Sequence, residues 1–194
     1  MLAVLLATIS WATVARAQRG NPTAVQALQL STFGAASGVY TGLESGKNLS
    51  ITAGVDLALP PHLGMRPTLE VRGLYPVHPG VIDSQRDVLG GLKIDFLLSH
   101  RFHPYADILL GRGQMNYGTY GFLFNNYIYA LTTTYVYSPG AGIDFRVSDH
   151  LALKFDGQFQ RWGSAPTASG DIYSKVGTVG IVYLFDFNHR GVIH

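Results

Sequence analysis

Thr178-Val179-Gly180-Ile181-Val182-Tyr183-Leu184-Phe185-Asp186-Phe187 decides the fold: as extended chain it sets Val179, Ile181, Tyr183, Phe185 and Phe187 on one face and Thr178, Gly180, Val182, Leu184 and Asp186 on the other. The first face is wholly apolar and ends in aromatics. The segment before it repeats the pattern, with Leu151, Leu153, Phe155 and Phe159 alternating with Lys154, Asp156, Gln158 and Gln160. Further back, Tyr135, Tyr137, Ala141, Ile143, Phe145 and Val147 oppose Ser138, Gly140, Gly142, Asp144 and Arg146. Val88, Leu92, Ile94, Phe96 and Leu98 oppose Gly91, Lys93 and Asp95, and Met65, Leu69, Val71 and Tyr75 oppose Arg66, Thr68, Glu70 and Arg72. Leu49 to Leu59 alternates in the same way, with Ser50, Thr52, Gly54 and Asp56 on its polar face.

Two segments alternate less cleanly. Ala27 to Gly38 is expected to carry a bulge near Gly34, and Tyr105 to Met115 sets Asp107, Gly111 and Gly113 against Ile108 and Leu110. Counting both, the pattern predicts about eight strands of roughly 10–12 residues, the length of a tilted membrane-crossing strand. The connections alternate short and long. Pro60 to Gly64, His100 to Pro104 and Ser148 to His150 read as tight turns, whereas Tyr40 to Asn48, Pro76 to Arg86, Asn116 to Thr133 and Gly163 to Asp171 are longer. Short periplasmic turns and long outer loops are the habit of outer-membrane barrels, and both termini then lie on the periplasmic side.

Composition agrees. Charged residues make up only 13% of the 194-residue chain and hydrophobic residues 47%, where about 25% charged is ordinary for a soluble domain. The formal net charge of +2 offers no basic patch for nucleic acid, and the absence of cysteine excludes disulfides and thiolate chemistry. Leu2 to Val14 is an apolar stretch followed by Ala15-Arg16-Ala17, which reads as a signal peptide over 1–17 with the barrel domain over 18–194. Beyond Gln18 no apolar run is long enough for a spanning helix, so membrane residence requires strands closed into a barrel. A water-soluble ligand-binding barrel would also alternate, but with its charged face outward, and 13% charge is too sparse to cover it.

The expectation is therefore an all-β chain, a transmembrane antiparallel up-and-down β-barrel. It resembles the small outer-membrane β-barrels of the OmpA-like and OmpX-like kind over essentially all of Gln18 to Asn188. The residues carrying the likeness are Ala15-Arg16-Ala17, the His103-Pro104-Tyr105 strand entry, the Pro139-Gly140-Ala141-Gly142 stretch and the terminal Val179 to Phe187 strand. The resemblance implies a bacterial outer-membrane location, export by a cleaved signal peptide, and a monomer without cofactors. It also implies outer-membrane lipid, lipopolysaccharide and the barrel-assembly machinery as partners. One departure is that Asn188 to His194 follow Phe187, where such barrels often end on the last aromatic.

The inward-facing charges Arg66, Glu70, Arg72, Lys93, Asp95, Asp107, Asp144, Arg146, Lys154 and Asp156 are the first candidate site. A narrow lumen favours reading them as a paired network in place of an apolar core, with a narrow solute channel as the alternative. The second candidate is the charge-free loop Met115 to Leu131 with Tyr117, Tyr120, Phe122, Phe124, Tyr127 and Tyr129. It reads either as strands extended into a hairpin around Asn125-Asn126 or as a surface for binding. His100 and His103 lie in a turn, and no close His-x-Ser pair stands on a strand, so metal binding and a lipid-modifying enzyme rank behind a structural or surface-interaction role without catalysis. The pleat also predicts that Arg in place of lipid-facing Leu153 is costly, and that Arg at inward Gln158 is mild if it fits.

Overall fold

The computed structural model describes residues 28–43, 46–78, 84–118, 120–163 and 167–185. The expected signal segment, Gln18, Asp186, Phe187 and the tail after it lie outside the described residues. The strands are β1 (Gln29–Tyr40), β2 (Lys47–Ala58), β3 (Met65–His78), β4 (Ser84–Phe96), β5 (Phe102–Asn116), β6 (Phe122–Phe124), β7 (Tyr127–Tyr129), β8 (Leu131–Arg146), β9 (Leu151–Gly163) and β10 (Asp171–Leu184). Eight of them close a barrel in the order β1-β10-β9-β8-β5-β4-β3-β2, every neighbour antiparallel and β1 hydrogen-bonded to β10. Closure leaves no unpaired edge, which is what lets strands stand in hydrocarbon.

Burial follows the sequence alternation with period two. Along β9, Leu151, Leu153, Phe155 and Phe159 are exposed, and Ala152, Lys154, Asp156, Gln158 and Gln160 are buried. On the outward face Ile51, Val71, Ile108, Leu110, Val179 and Ile181 form an apolar belt, with Tyr75, Tyr135, Tyr137 and Tyr173 among its exposed aromatics. An apolar face on the outside and buried charge within identify the surrounding medium as lipid.

Three details depart from the sequence reading. There is no bulge at Gly34, which pairs in unbroken register with Ile181 and Ala53. The register shift falls instead between Leu49 and Ser50 on β2, opposite Pro76, because proline has no N–H to continue the ladder. The ladder between β8 and β9 likewise skips Ser138 and Pro139. Several strands run past their expected ends, shortening the outer connections, whereas β10 stops at Leu184 and leaves Phe185 outside the strand. Finally, the barrel wall ends where Asn116 pairs with Leu131, and the expected hairpin around Asn125-Asn126 is not continuous with it: β6 and β7 form a separate two-stranded sheet.

The turn between β2 and β3 places both Leu63 (φ 52) and Gly64 (φ 76) in the left-handed region, the pairing of a two-residue type I′ hairpin. Leucine tolerates that conformation poorly and its side chain is exposed there. Leu63→Asn is expected to stabilise the fold by about 1 kcal/mol, read as a shift of the urea midpoint in vesicles.

Candidate functional site

Because the strands tilt around a narrow lumen, inward side chains from non-neighbouring strands meet across it. Arg72 on β3 is the centre of one group. Its guanidinium donates to Glu70, reaches Asp156 Oδ1 on β9 at 2.7 Å, and lies 3.4 Å from Asp107 Oδ2 on β5. Gln158 closes that group, donating to Asp107 Oδ1 at 3.0 Å and to Asp156 Oδ2 at 3.1 Å while accepting from Ser138 at 2.7 Å. Lys93 on β4 is the centre of a second group, with Asp56 at 2.7 Å, Asp144 at 3.3 Å and Asp95 at 3.5 Å. Tyr105 joins the two: its hydroxyl donates to Asp156 at 2.9 Å, and its ring lies 4.7 Å from the Lys93 ammonium and 4.3 Å from that of Lys154.

Lys154 is the least conventionally held charge. It is fully buried, with Glu70 Oε2 at 4.0 Å and Asp144 Oδ1 at 3.9 Å, beyond hydrogen-bond reach, and its ammonium sits between the rings of Tyr105 and Phe33. Desolvated cation–π contacts of this kind are worth about 2 kcal/mol or more. Both rings need a missing side chain beside them: a Cβ at Gly54 would collide with Phe33, and one at Gly142 with Tyr105. Lys154 does not pair with Asp156 two residues on, since the carboxylate is turned toward Arg72.

All ten charges named from the sequence point inward, and they divide by depth. Glu70, Arg72, Lys93, Asp107, Lys154 and Asp156 are buried in the network, whereas Arg66, Asp95, Asp144 and Arg146 stand at the mouth beside the tight turns. With His103 they line a cavity of about 50 Å³, room for a few water molecules and no more. Arg66 donates there to Gln29 at 2.8 Å. Asp56, Phe33 and Tyr105 belong to the network but were not among the residues singled out; the alternation already put Asp56 on the polar face of β2. For the two aromatics the signal was parity: Tyr105 falls on the Asp107 side of β5 and Phe33 on the Ser31 and Ser37 side of β1. The condition set for Arg at Gln158, that it fit, meets a filled site: the amide already packs against Gly140 and bonds Ser138, Asp107 and Asp156, so the substitution is expected to be costly.

Toward the outer end the lumen changes character. Leu89, Leu109, Met115, Val136, Trp162 and Ile172 make one buried apolar cluster with Leu43 and Tyr117. Trp162 donates to Gln160 at 3.1 Å, and Gln160 in turn binds Gln85 and Asp87, a polar layer within the apolar plug. The hairpin β6–β7 stands on this plug. Asn125 and Asn126, with φ 48 and 64, form its turn, and Phe122 and Tyr129 pack down onto the cluster. The six aromatics expected to share one surface are thus divided. Tyr117 is buried in the plug, Phe122, Phe124 and Tyr129 are half-buried, and Tyr120 and Tyr127 are open at 94% and 70% exposure beside Leu123 and Ile128. At the other end, the His103 ring faces the His100 carbonyl at 3.4 Å rather than the His100 ring.

No family model matches the chain, and no curated protein sequence does. Its fold is that of small outer-membrane barrels. Neisserial surface protein A is similar at a TM-score of 0.53 and 11% identity, covering 81% of this chain and 97% of that one. Ail, the attachment invasion locus protein of Yersinia pestis, is similar at a TM-score of 0.50, with the same identity and coverage. The outer membrane enzyme PagL overlaps less well, at a TM-score of 0.42 and 11% identity, covering 81% of this chain and 99% of that one. A shared barrel does not fix a shared function.

Proposed function

We propose that the chain is a non-catalytic, non-conducting barrel of the bacterial outer membrane that acts at the cell surface through the hairpin β6–β7. The observation that carries this reading is the hairpin itself: a charge-free projection whose inner face is anchored on the plug while Tyr120, Leu123, Tyr127 and Ile128 remain exposed beyond the barrel. Leaving that much apolar surface in the open needs a reason, and contact with another surface is the common one. A solute path is opposed by the filled lumen, with its ion pairs below and its apolar plug above.

Cells displaying the full chain are expected to partition to a hexadecane–water interface more readily than cells displaying Leu123→Ser/Tyr127→Ser/Ile128→Ser. Equal partitioning at equal surface abundance would remove the hairpin from the function. In a planar bilayer the protein is expected to give no stable openings. Reproducible conductance altered by Arg72→Gln or Lys154→Gln would replace the surface reading with the channel.

A further inference from the structure

The outward face of the barrel is almost free of charge, and what charge it has is gathered at the outer ends of the strands. Among the described strand residues the outward cations are Lys47, Arg86, Arg112, Arg161 and Lys175, all in that outer zone. Arg161 is neutralised by Asp171 at 2.8 Å. Arg86 and Arg112, diagonal neighbours on β4 and β5, are held differently. Arg86 donates to the Gln114 side chain, while Arg112 donates to the Tyr135 hydroxyl at 3.2 Å and lies over its ring at 4.8 Å. Among the described residues their partners are neutral, so the pair is oriented there without being compensated. Beside it the wall is hollowed into a depression of about 550 Å³, floored by Ala53 and Gly73 and walled by Tyr75 and Val88.

We propose that this depression seats an outer-leaflet lipid bearing a phosphomonoester, with one acyl chain over Ala53 and Gly73 and the phosphate between Arg86 and Arg112. Charge complementarity selects the occupant: two fixed guanidiniums match a group carrying close to two negative charges, and the planar guanidinium binds phosphate oxygens through two parallel hydrogen bonds. A phosphodiester carries one charge and a zwitterionic headgroup none. The apolar floor next to the cations suits a chain joined to that phosphate, and basic pockets on membrane walls bind headgroups in this way. The site stands on the barrel wall and is independent of the hairpin. It gives the outer-membrane lipid expected as a partner a definite position and headgroup chemistry.

The test is retention of bisphosphorylated lipid A on the full chain refolded in detergent, read by native mass spectrometry against phosphatidylglycerol, with heat-modifiable gel migration confirming the fold of every variant. Arg86→Gln/Arg112→Gln is expected to weaken lipid A retention at least tenfold, and Lys47→Gln/Lys175→Gln, which removes the same charge elsewhere on the rim, to change it less than twofold. Gly73→Leu fills the floor with both arginines intact. A Cβ there meets only ordinary contacts, with Asp87 O at 3.7 Å and Val88 Cγ2 at 4.0 Å, so this variant is expected to fold and yet lose lipid. Equal losses from both double variants would mean diffuse attraction and overturn the site, as would full retention by Gly73→Leu. Phosphatidylglycerol held as tightly as lipid A would overturn the phosphomonoester.

Discussion

Arg72→Met is expected to lower the unfolding free energy of the barrel in lipid vesicles by about 3–5 kcal/mol, the range for stripping one partner from a buried ion network. The size follows from what is left behind. Glu70, Asp107 and Asp156 would share a dry lumen with Lys154, which reaches none of them by a hydrogen bond. Neutralising the stranded acids as well, in Arg72→Met/Glu70→Gln/Asp156→Asn, is expected to restore much of the loss, since an uncharged network escapes most of the desolvation penalty. The measurement is urea unfolding followed by the fluorescence of the buried Trp162. The exposed pair supplies the contrast: Arg161→Gln is expected to leave the midpoint where it was, because solvent screens that bridge. An Arg72→Met barrel as stable as the parent would show that water fills the lumen and screens these charges.

Ile108→Arg is expected to cost about 2–4 kcal/mol in the same titration, because Ile108 stands on the lipid face near the middle of β5, where arginine must enter the hydrocarbon midplane. Phe145→Arg, on the same face but at the C-terminal end of β8, is expected to cost less than about 1 kcal/mol, the value near an interface. It is the depth dependence that tests the assignment. Equal costs at the two positions would put the apolar face in contact with something other than a bilayer, and the soluble ligand-binding barrel would become the better description.

Much of this architecture can be read along the chain because a two-residue period is a local property. Val179, Ile181 and Tyr183 declare their side of the sheet from their neighbours alone, and so do Lys154 and Asp156. What is not local escaped. The bulge depends on where Pro76 falls against β2, a matter of register across strands, and Gly34 gave a false cue because a glycine facing lipid needs no backbone irregularity. The inward direction of the charges is likewise local, but their partners are not. Asp156 looks like the mate of Lys154 in sequence and is bound to Arg72 from the far wall. The same holds for Tyr117 and Tyr127, equivalent in composition and opposite in fate, because only the packing of the hairpin on the plug separates them.

The lumen is asymmetric along its axis, charged at the mouth beside the tight turns and apolar around Leu109 and Trp162. In transport terms it is a blind well. Under the proposed function a cell could vary the number of copies it carries without varying its permeability: more surface hairpins would add no leak of ions or nutrients across the envelope. Expression of such a barrel would then be set by what the outer surface requires, free of the osmotic constraint that limits how many open pores a membrane can hold.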